Sequence, residues 1–192
     1  MLSSCFSEHL SQFSHVLSAA QWKQGAKSIA PLAGEGAWLE VLSQLAQHHG
    51  EVFVLGNGGS AAIAAHVAND LTNLSGIHAD ALQNMAELTC HANDYGYDHA
   101  YARLLSHKMH ANDVLLAISS SGKSSNLLHA VAMARQKGAK VLTFTGFSPD
   151  NPLRQLGDLN LWLDCHDYGI VEVGHQLLLH YLSDRLGVLR KS

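Results

Sequence analysis

From Glu51 onward, short apolar runs alternate with longer segments whose apolar residues recur every three or four positions. The runs at 52–56, 78–82, 113–118, 140–145 and 159–163 read as strands. The segments at about 60–74, 84–92, 97–109, 124–137 and 170–187 read as helices. Leucine-rich and β-branched strands separated by helices predict βαβ crossovers, an α/β fold whose parallel sheet is covered on both faces. Before Glu51 the pattern is helical: Leu10, Phe13, Val16 and Leu17 share a spacing, and so do Leu39, Leu42 and Leu45. Gly34 and Gly36 mark a break between those two helices, dividing a helical extension (1–34) from the α/β domain (35–192). In an open parallel sheet ligands bind beyond the carboxyl ends of the strands, which directs attention to the loops after 52–56 and 113–118.

Composition narrows the class. The 192 residues suffice for one domain with a sizeable core, and 47% apolar content excludes disorder. A net charge of −4 leaves no electrostatic footprint for nucleic acid. No apolar run approaches the roughly twenty residues of a bilayer span, and the N-terminal stretch lacks the basic region of a signal peptide. Three widely spaced cysteines, Cys5, Cys90 and Cys165, fit a reduced cytoplasm without disulfides. Histidine is over-represented: fourteen, against twelve Lys and Arg together. Only placement gives that count meaning, since most isolated histidines sit on surfaces. Trp22, Trp38 and Trp162 read as core or interface residues.

Two loops have phosphate-binding character. Gly56-Asn57-Gly58-Gly59-Ser60 runs from a strand into a helix, so its glycines admit an anion close to the backbone and to free helix N–H groups. It also fits a loose dinucleotide fingerprint, with Asp80 as the acidic partner. The second loop, Ser119-Ser120-Ser121-Gly122-Lys123-Ser124, differs from a P-loop by Ala117 in place of the first glycine. Hydroxyls and backbone N–H groups suit a single phosphate monoester better than a magnesium-bound polyphosphate. A bare serine helix cap is the plain alternative, yet four serines within 119–124 exceed what a cap uses.

His66 and Asp70 are spaced i, i+4 on helix 60–74, and Glu172, His175, Gln176 and His180 interrupt the apolar helix 170–187. A carboxylate and a histidine on each of two helices can form a mixed nitrogen–oxygen metal site or a metal-free acid/base group. Asn93–Tyr97 reads as a turn whose Asp94 can reach the pocket.

The segments VFVLGNGGSAAIAAH, HANDYGYD, DVLLAISSSGKSSN and VEVGHQLLLH, in this order and spacing, resemble the sugar isomerase (SIS) domain, and within it the phosphoheptose isomerase group. The resemblance spans about 35–187 and makes the dinucleotide and P-loop readings false friends. It implies a five-stranded parallel sheet of flavodoxin-like order in a three-layer αβα sandwich. It implies substrate contacts at Asn57, Gly58, Gly59, Ser60, Asp94, Ser119, Ser120, Ser121, Ser124 and Glu172. It places a metal, Zn²⁺, at His66, Asp70, Glu172 and His180, and acid/base catalysis at Asp70 and His180. Homotetramers with sites between subunits follow from the same resemblance. Asp70 stands where these isomerases carry a glutamate, one methylene longer and about 1.5 Å further in reach. Glu172 stands at a position usually held by glutamine, and Val173 follows where a glutamate is usual.

The resemblance thus implies a cytoplasmic aldose–ketose isomerase converting sedoheptulose 7-phosphate to D-glycero-D-manno-heptose 7-phosphate, a product feeding lipopolysaccharide or capsule synthesis. Its partners are a small phosphosugar and copies of itself, with no direct nucleic acid and no membrane. Two alternatives stand beside it: an isomerase of another phosphosugar, and a non-enzymatic SIS protein that binds a replication initiator.

Overall fold

The computed structural model describes residues 5–190. In chain order its elements are α1 (Phe6–Ser18), β1 (Gln21–Gln24), β2 (Lys27–Ile29), α2 (Pro31–Gln47), β3 (Val52–Leu55), α3 (Gly59–Ser75), β4 (Ala79–Asp80) and α4 (Met85–Tyr95). They continue with α5 (Tyr97–Lys108), β5 (Val114–Ser119), α6 (Ser125–Lys137), β6 (Lys140–Thr145), α7 (Pro152–Leu156), β7 (Leu159–Trp162) and α8 (Tyr168–Leu189).

Seven strands form one sheet in the order β2-β1-β7-β6-β5-β3-β4. Five of them, β4, β3, β5, β6 and β7, run parallel, as the alternation of strand and helix predicts. Their order is the flavodoxin-like one, in which the second strand lies outside the first and the remaining three run the other way. The strand order reverses between β3 and β5, so the loops leaving these two parallel strands flank the switch point.

Alternation along the buried strands builds two cores. Val52, Val54, Leu116 and Phe144 face a layer from α2, α3 and α8 that includes Trp38, Val67, Leu71, Leu179 and Leu186. Phe53, Leu55, Leu115 and Val141 face Tyr101, Leu104, Leu105, Leu127 and Val131 of α5 and α6. Trp22, Trp38 and Trp162 are all buried.

The N-terminal region departs from the helical expectation. Gly34 and Gly36 lie inside α2, and the break falls earlier, in a hairpin that adds β1 and β2 antiparallel to the edge of β7. Gly34 is where the Trp22 ring of β1 meets α2, and a Cβ there would collide with that ring. The hairpin turns at Gly25, whose φ of +55° suits glycine. Its strands are three and four residues long with one fully buried side chain, too short for alternation to show. Asn93–Tyr95, expected as a turn, finish α4, and Gly96 at φ +83° forms the corner into α5. The short α7, started by Pro152 and capped by Asn151, is an addition. No helix among the described residues is long and apolar enough to cross a membrane.

Candidate active site

The two glycine and serine loops meet at the switch point. Neither α3 nor α6 has a side-chain cap: Gly58 precedes one, and the Ser124 side chain makes no capping bond to the other. The plain cap reading of the second loop therefore fails, and two helix N-termini face the same region with donors and a favourable dipole for an anion. Between them lies a cavity of about 140 Å³ lined by Asn57, Ser60, Ser119, Ser120, Ser121 and Ser124, with Tyr168 and Glu172 at its wall. Ser120 Oγ is buried without a hydrogen-bond partner among the described residues. Ser119 Oγ accepts a bond from the Gly122 N–H at 3.1 Å, which folds the loop back on itself. Gly122 sits at φ +62° against the Asn151 amide, leaving no room for a side chain. Among the described residues no lysine or arginine lines the cavity, and Lys123 is exposed. Anion binding here rests on hydroxyls, amides and helix ends.

The loops are tied together by an amide pair. Asn57 Nδ2 donates to Asn126 Oδ1 and Asn126 Nδ2 donates to Asn57 Oδ1, each at 2.9 Å. Tyr97 Oη donates to Asn57 Oδ1 at 2.8 Å, and Tyr101 Oη donates to the Gly56 carbonyl at 3.0 Å. Asn126, Tyr97 and Tyr168 are site residues that the sequence reading misses. Asn126 closes the serine run, but nothing in the sequence pairs it with a residue 69 positions away.

Two turns beyond the anion loop, α3 presents His66 and Asp70 to His180 of α8. His66 Nε2 and His180 Nδ1 lie 3.1 and 2.9 Å from the same Asp70 oxygen, Oδ2, and 3.3 Å from each other. Both histidines are 48% exposed, whereas the Asp70 side chain is 10% exposed. The shared carboxylate oxygen can only accept, so a ring nitrogen bonded to it carries the proton, and Nε2 is the second nitrogen that His180 has to offer. Asp184 Oδ2 is the nearest carboxylate oxygen to that nitrogen, at 3.7 Å. His66, Asp70 and His180 are a group able to hold a metal ion among the described residues. Asp70 reaches both rings despite its short side chain.

Glu172 lies outside this trio. Its carboxylate rests on Gly59, where a Cβ would strike it, and it lines both the serine cavity and an open hollow shared with His66, Val173 and Gln176. Glu172 therefore joins the two halves of the site. Gly58 and Gly59 form the turn into α3, with Gly58 at φ +55°. Asp94 is exposed on the last turn of α4, contacts Cys90 and Asn93, and does not line the cavity within one chain. His175 faces the core, its Nε2 against the Thr145 carbonyl at 3.1 Å, and burial pushes its pKa down to about 4.

Residues 35–146 match the SIS domain family. A phosphoheptose isomerase from Thiobacillus denitrificans is 38% identical over 184 residues, covering 91% of this chain and 92% of its own. The structure of phosphoheptose isomerase from Neisseria gonorrhoeae superposes with a TM-score of 0.80 at 27% identity, covering 94% of this chain and 95% of that one. A phosphoheptose isomerase structure from Francisella tularensis shares the fold, with a TM-score of 0.81 at 24% identity and 95% coverage of both chains. With the switch-point serine cavity and this likeness over nearly its whole length, the chain belongs to the SIS domain family and, within it, to the phosphoheptose isomerases.

Proposed function

We propose that this protein is an aldose–ketose isomerase of sedoheptulose 7-phosphate, yielding D-glycero-D-manno-heptose 7-phosphate. The observation that carries this reading is one of adjacency. The same helix, α3, closes the serine cavity at its start and presents His66 and Asp70 to His180 further along. At 1.5 Å per residue, Ser60 and His66 are separated by about 9 Å of helix axis, within the length of an extended seven-carbon sugar phosphate. A phosphate gripped at the helix start leaves the far end of a sugar chain beside the acid/base group.

In this reading, Ser60, Ser119, Ser120, Ser121 and Ser124 hold the phosphate. Asp70 and His180 exchange protons with the substrate: one proton leaves C1 of the ketose, and one is returned to C2 of the enediolate. The hydroxyl proton at O1 is lost as O2 gains one, which moves the carbonyl from C2 to C1. With Nδ1 turned to Asp70, His180 keeps Nε2 for proton traffic at the exposed face.

Zn²⁺ fits the donor set. The three donor atoms lie 2.9–3.3 Å apart, near the roughly 3.3 Å edge of a tetrahedron whose nitrogen and oxygen ligands stand at about 2.0–2.1 Å. His66, Asp70 and His180 would hold the ion, with Glu172 as a neighbouring carboxylate, and the ion would supply Lewis-acid polarisation of the carbonyl.

The reading extends to a cytoplasmic homotetramer in which residues 1–34 extend the 35–192 domain. Cysteines that form no disulfide among the described residues support the compartment. Exposed Val173, Leu177 and Tyr181 on α8, with Phe6 and Leu10 on α1, support association. A site shared between copies accounts for Asp94, which lies outside the cavity of its own chain. Incubation with sedoheptulose 7-phosphate, with and without Zn²⁺, tests the activity: appearance of the aldose supports it, and its absence under both conditions contradicts it.

A further inference from the structure

We infer that Asn126 and Tyr97 are positioning residues that fix the polarity of the Asn57 amide, so that Asn57 offers the substrate a hydrogen-bond donor and cannot offer an acceptor. This rests on the isomerase reading for its chemistry, but not for its geometry.

A reciprocal amide pair is by itself ambiguous, because turning both amides over exchanges every donor for an acceptor and preserves both bonds. Here a third group removes the ambiguity. The backbone N–H of Leu127, which can only donate, is shared between the Ser124 carbonyl at 3.1 Å and Asn126 Oδ1 at 3.0 Å. An Nδ2 in that place would set donor against donor, so Asn126 keeps its oxygen toward Leu127. Asn126 Nδ2 must then be the atom facing Asn57, and Asn57 Oδ1 must receive it. Tyr97 Oη adds a second bond to the same oxygen. Both acceptor directions of Asn57 Oδ1 are thereby occupied by protein groups.

What remains of the Asn57 amide is the second N–H of Nδ2. Its first goes to Asn126 Oδ1, and the second has no partner among the described residues, while Asn57 lines the serine cavity. The group left for a ligand is thus a neutral donor of fixed sense. Asn126 is 2% exposed, so its half of the pair is held against rotation by packing. A preset donor costs no reorganisation when negative charge develops on an oxygen nearby. The phosphate already has the serine hydroxyls and the α6 N-terminus. Asn57 sits instead on the loop leading into the helix of His66 and Asp70, so its donor serves a sugar oxygen of the bound substrate.

A double-mutant cycle on the full chain tests this with sedoheptulose 7-phosphate as substrate and inorganic phosphate as competitive inhibitor. Tyr97→Phe is expected to lower kcat roughly three- to tenfold, the scale of one hydrogen bond, with the phosphate inhibition constant unchanged within about twofold. Asn126→Ala is expected to lower kcat further on the same pattern. In an Asn57→Ala background, Tyr97→Phe is expected to have no further effect on kcat, because its target is gone. The inference is overturned if Tyr97→Phe leaves kcat unchanged, if it weakens phosphate inhibition in parallel, or if its effect persists without Asn57. Side-chain amide resonances of Asn57 give a readout independent of turnover: slow amide exchange that Tyr97→Phe accelerates supports the positioning, and fast exchange in the unsubstituted protein contradicts it. An enzyme inactive on this sugar but with slow Asn57 exchange would sink the isomerase reading while leaving the positioning intact.

Discussion

His180 Nδ1 and Asp70 Oδ2 stand 2.9 Å apart, joining α8 to α3 across the mouth of the site. A buried carboxylate facing an imidazole that is half open to solvent fixes the ring by one nitrogen and leaves the other for a substrate. His180→Ala removes the ring, and Asp70→Asn removes the carboxylate that holds it. Each is expected to cut kcat by about 10²–10⁴-fold, the usual contribution of a positioned acid or base. Steady-state kinetics and a melting curve for each variant check that activity falls while the fold is retained.

Gly59 and Gly34 predict opposite kinds of damage from the same substitution. At Gly59 an added methyl meets the far end of Glu172, a flexible side chain that can swing away. Gly59→Ala is expected to impair turnover with little change in melting temperature. At Gly34 the methyl meets the buried Trp22 ring, which has nowhere to go. Gly34→Ala is expected to lose about 1–3 kcal/mol of stability, typical of overpacking, with kcat per folded molecule preserved. Denaturant titration alongside kinetics separates the two.

His175 makes stability depend on pH. Its folded-state pKa is pushed down to about 4 by burial, against about 6.5 for an unfolded chain. Between those values the unfolded state binds a proton that the folded state does not. Stability is therefore complete above about pH 6.5 and declines as pH falls toward 4, approaching a tenfold loss in the folding constant per pH unit. Urea unfolding at pH 7.5 and 5 is expected to show the loss, and His175→Gln to flatten it.

Metal affinity should follow the three donors that converge. Calorimetric titration of Zn²⁺ into chelator-treated protein is expected to show one tight site per chain, weakened at least tenfold by His66→Ala. Glu172→Gln, at a residue outside the trio, is expected to weaken it less.

The sequence discloses the parallel sheet because β3 and β5 are buried on both faces and read as near-continuous apolar runs, with β6 and β7 broken only by buried threonines and an asparagine. It discloses His66 and Asp70 through their i, i+4 spacing within one helix. It conceals what depends on distant pairing. Asn57 and Asn126 are ordinary loop polar residues until the switch point sets them side by side. The β1–β2 hairpin takes its identity from the β7 edge, and Gly34 mimics a helix break although the Trp22 ring is its reason. Glu172, a metal ligand by resemblance, rests on Gly59 beside the trio, a placement that spacing along α8 cannot show.

Running the reaction in D₂O and following it by NMR shows whether the carbonyl moves through an enediolate and whether His180 carries the proton. Conversion of sedoheptulose 7-phosphate through an enediolate is expected to give the heptose 7-phosphate carrying solvent deuterium at C2, with no product from the His180→Ala variant. Binding of the sugar phosphate without any product or exchange, or full conversion by that variant, would contradict the account.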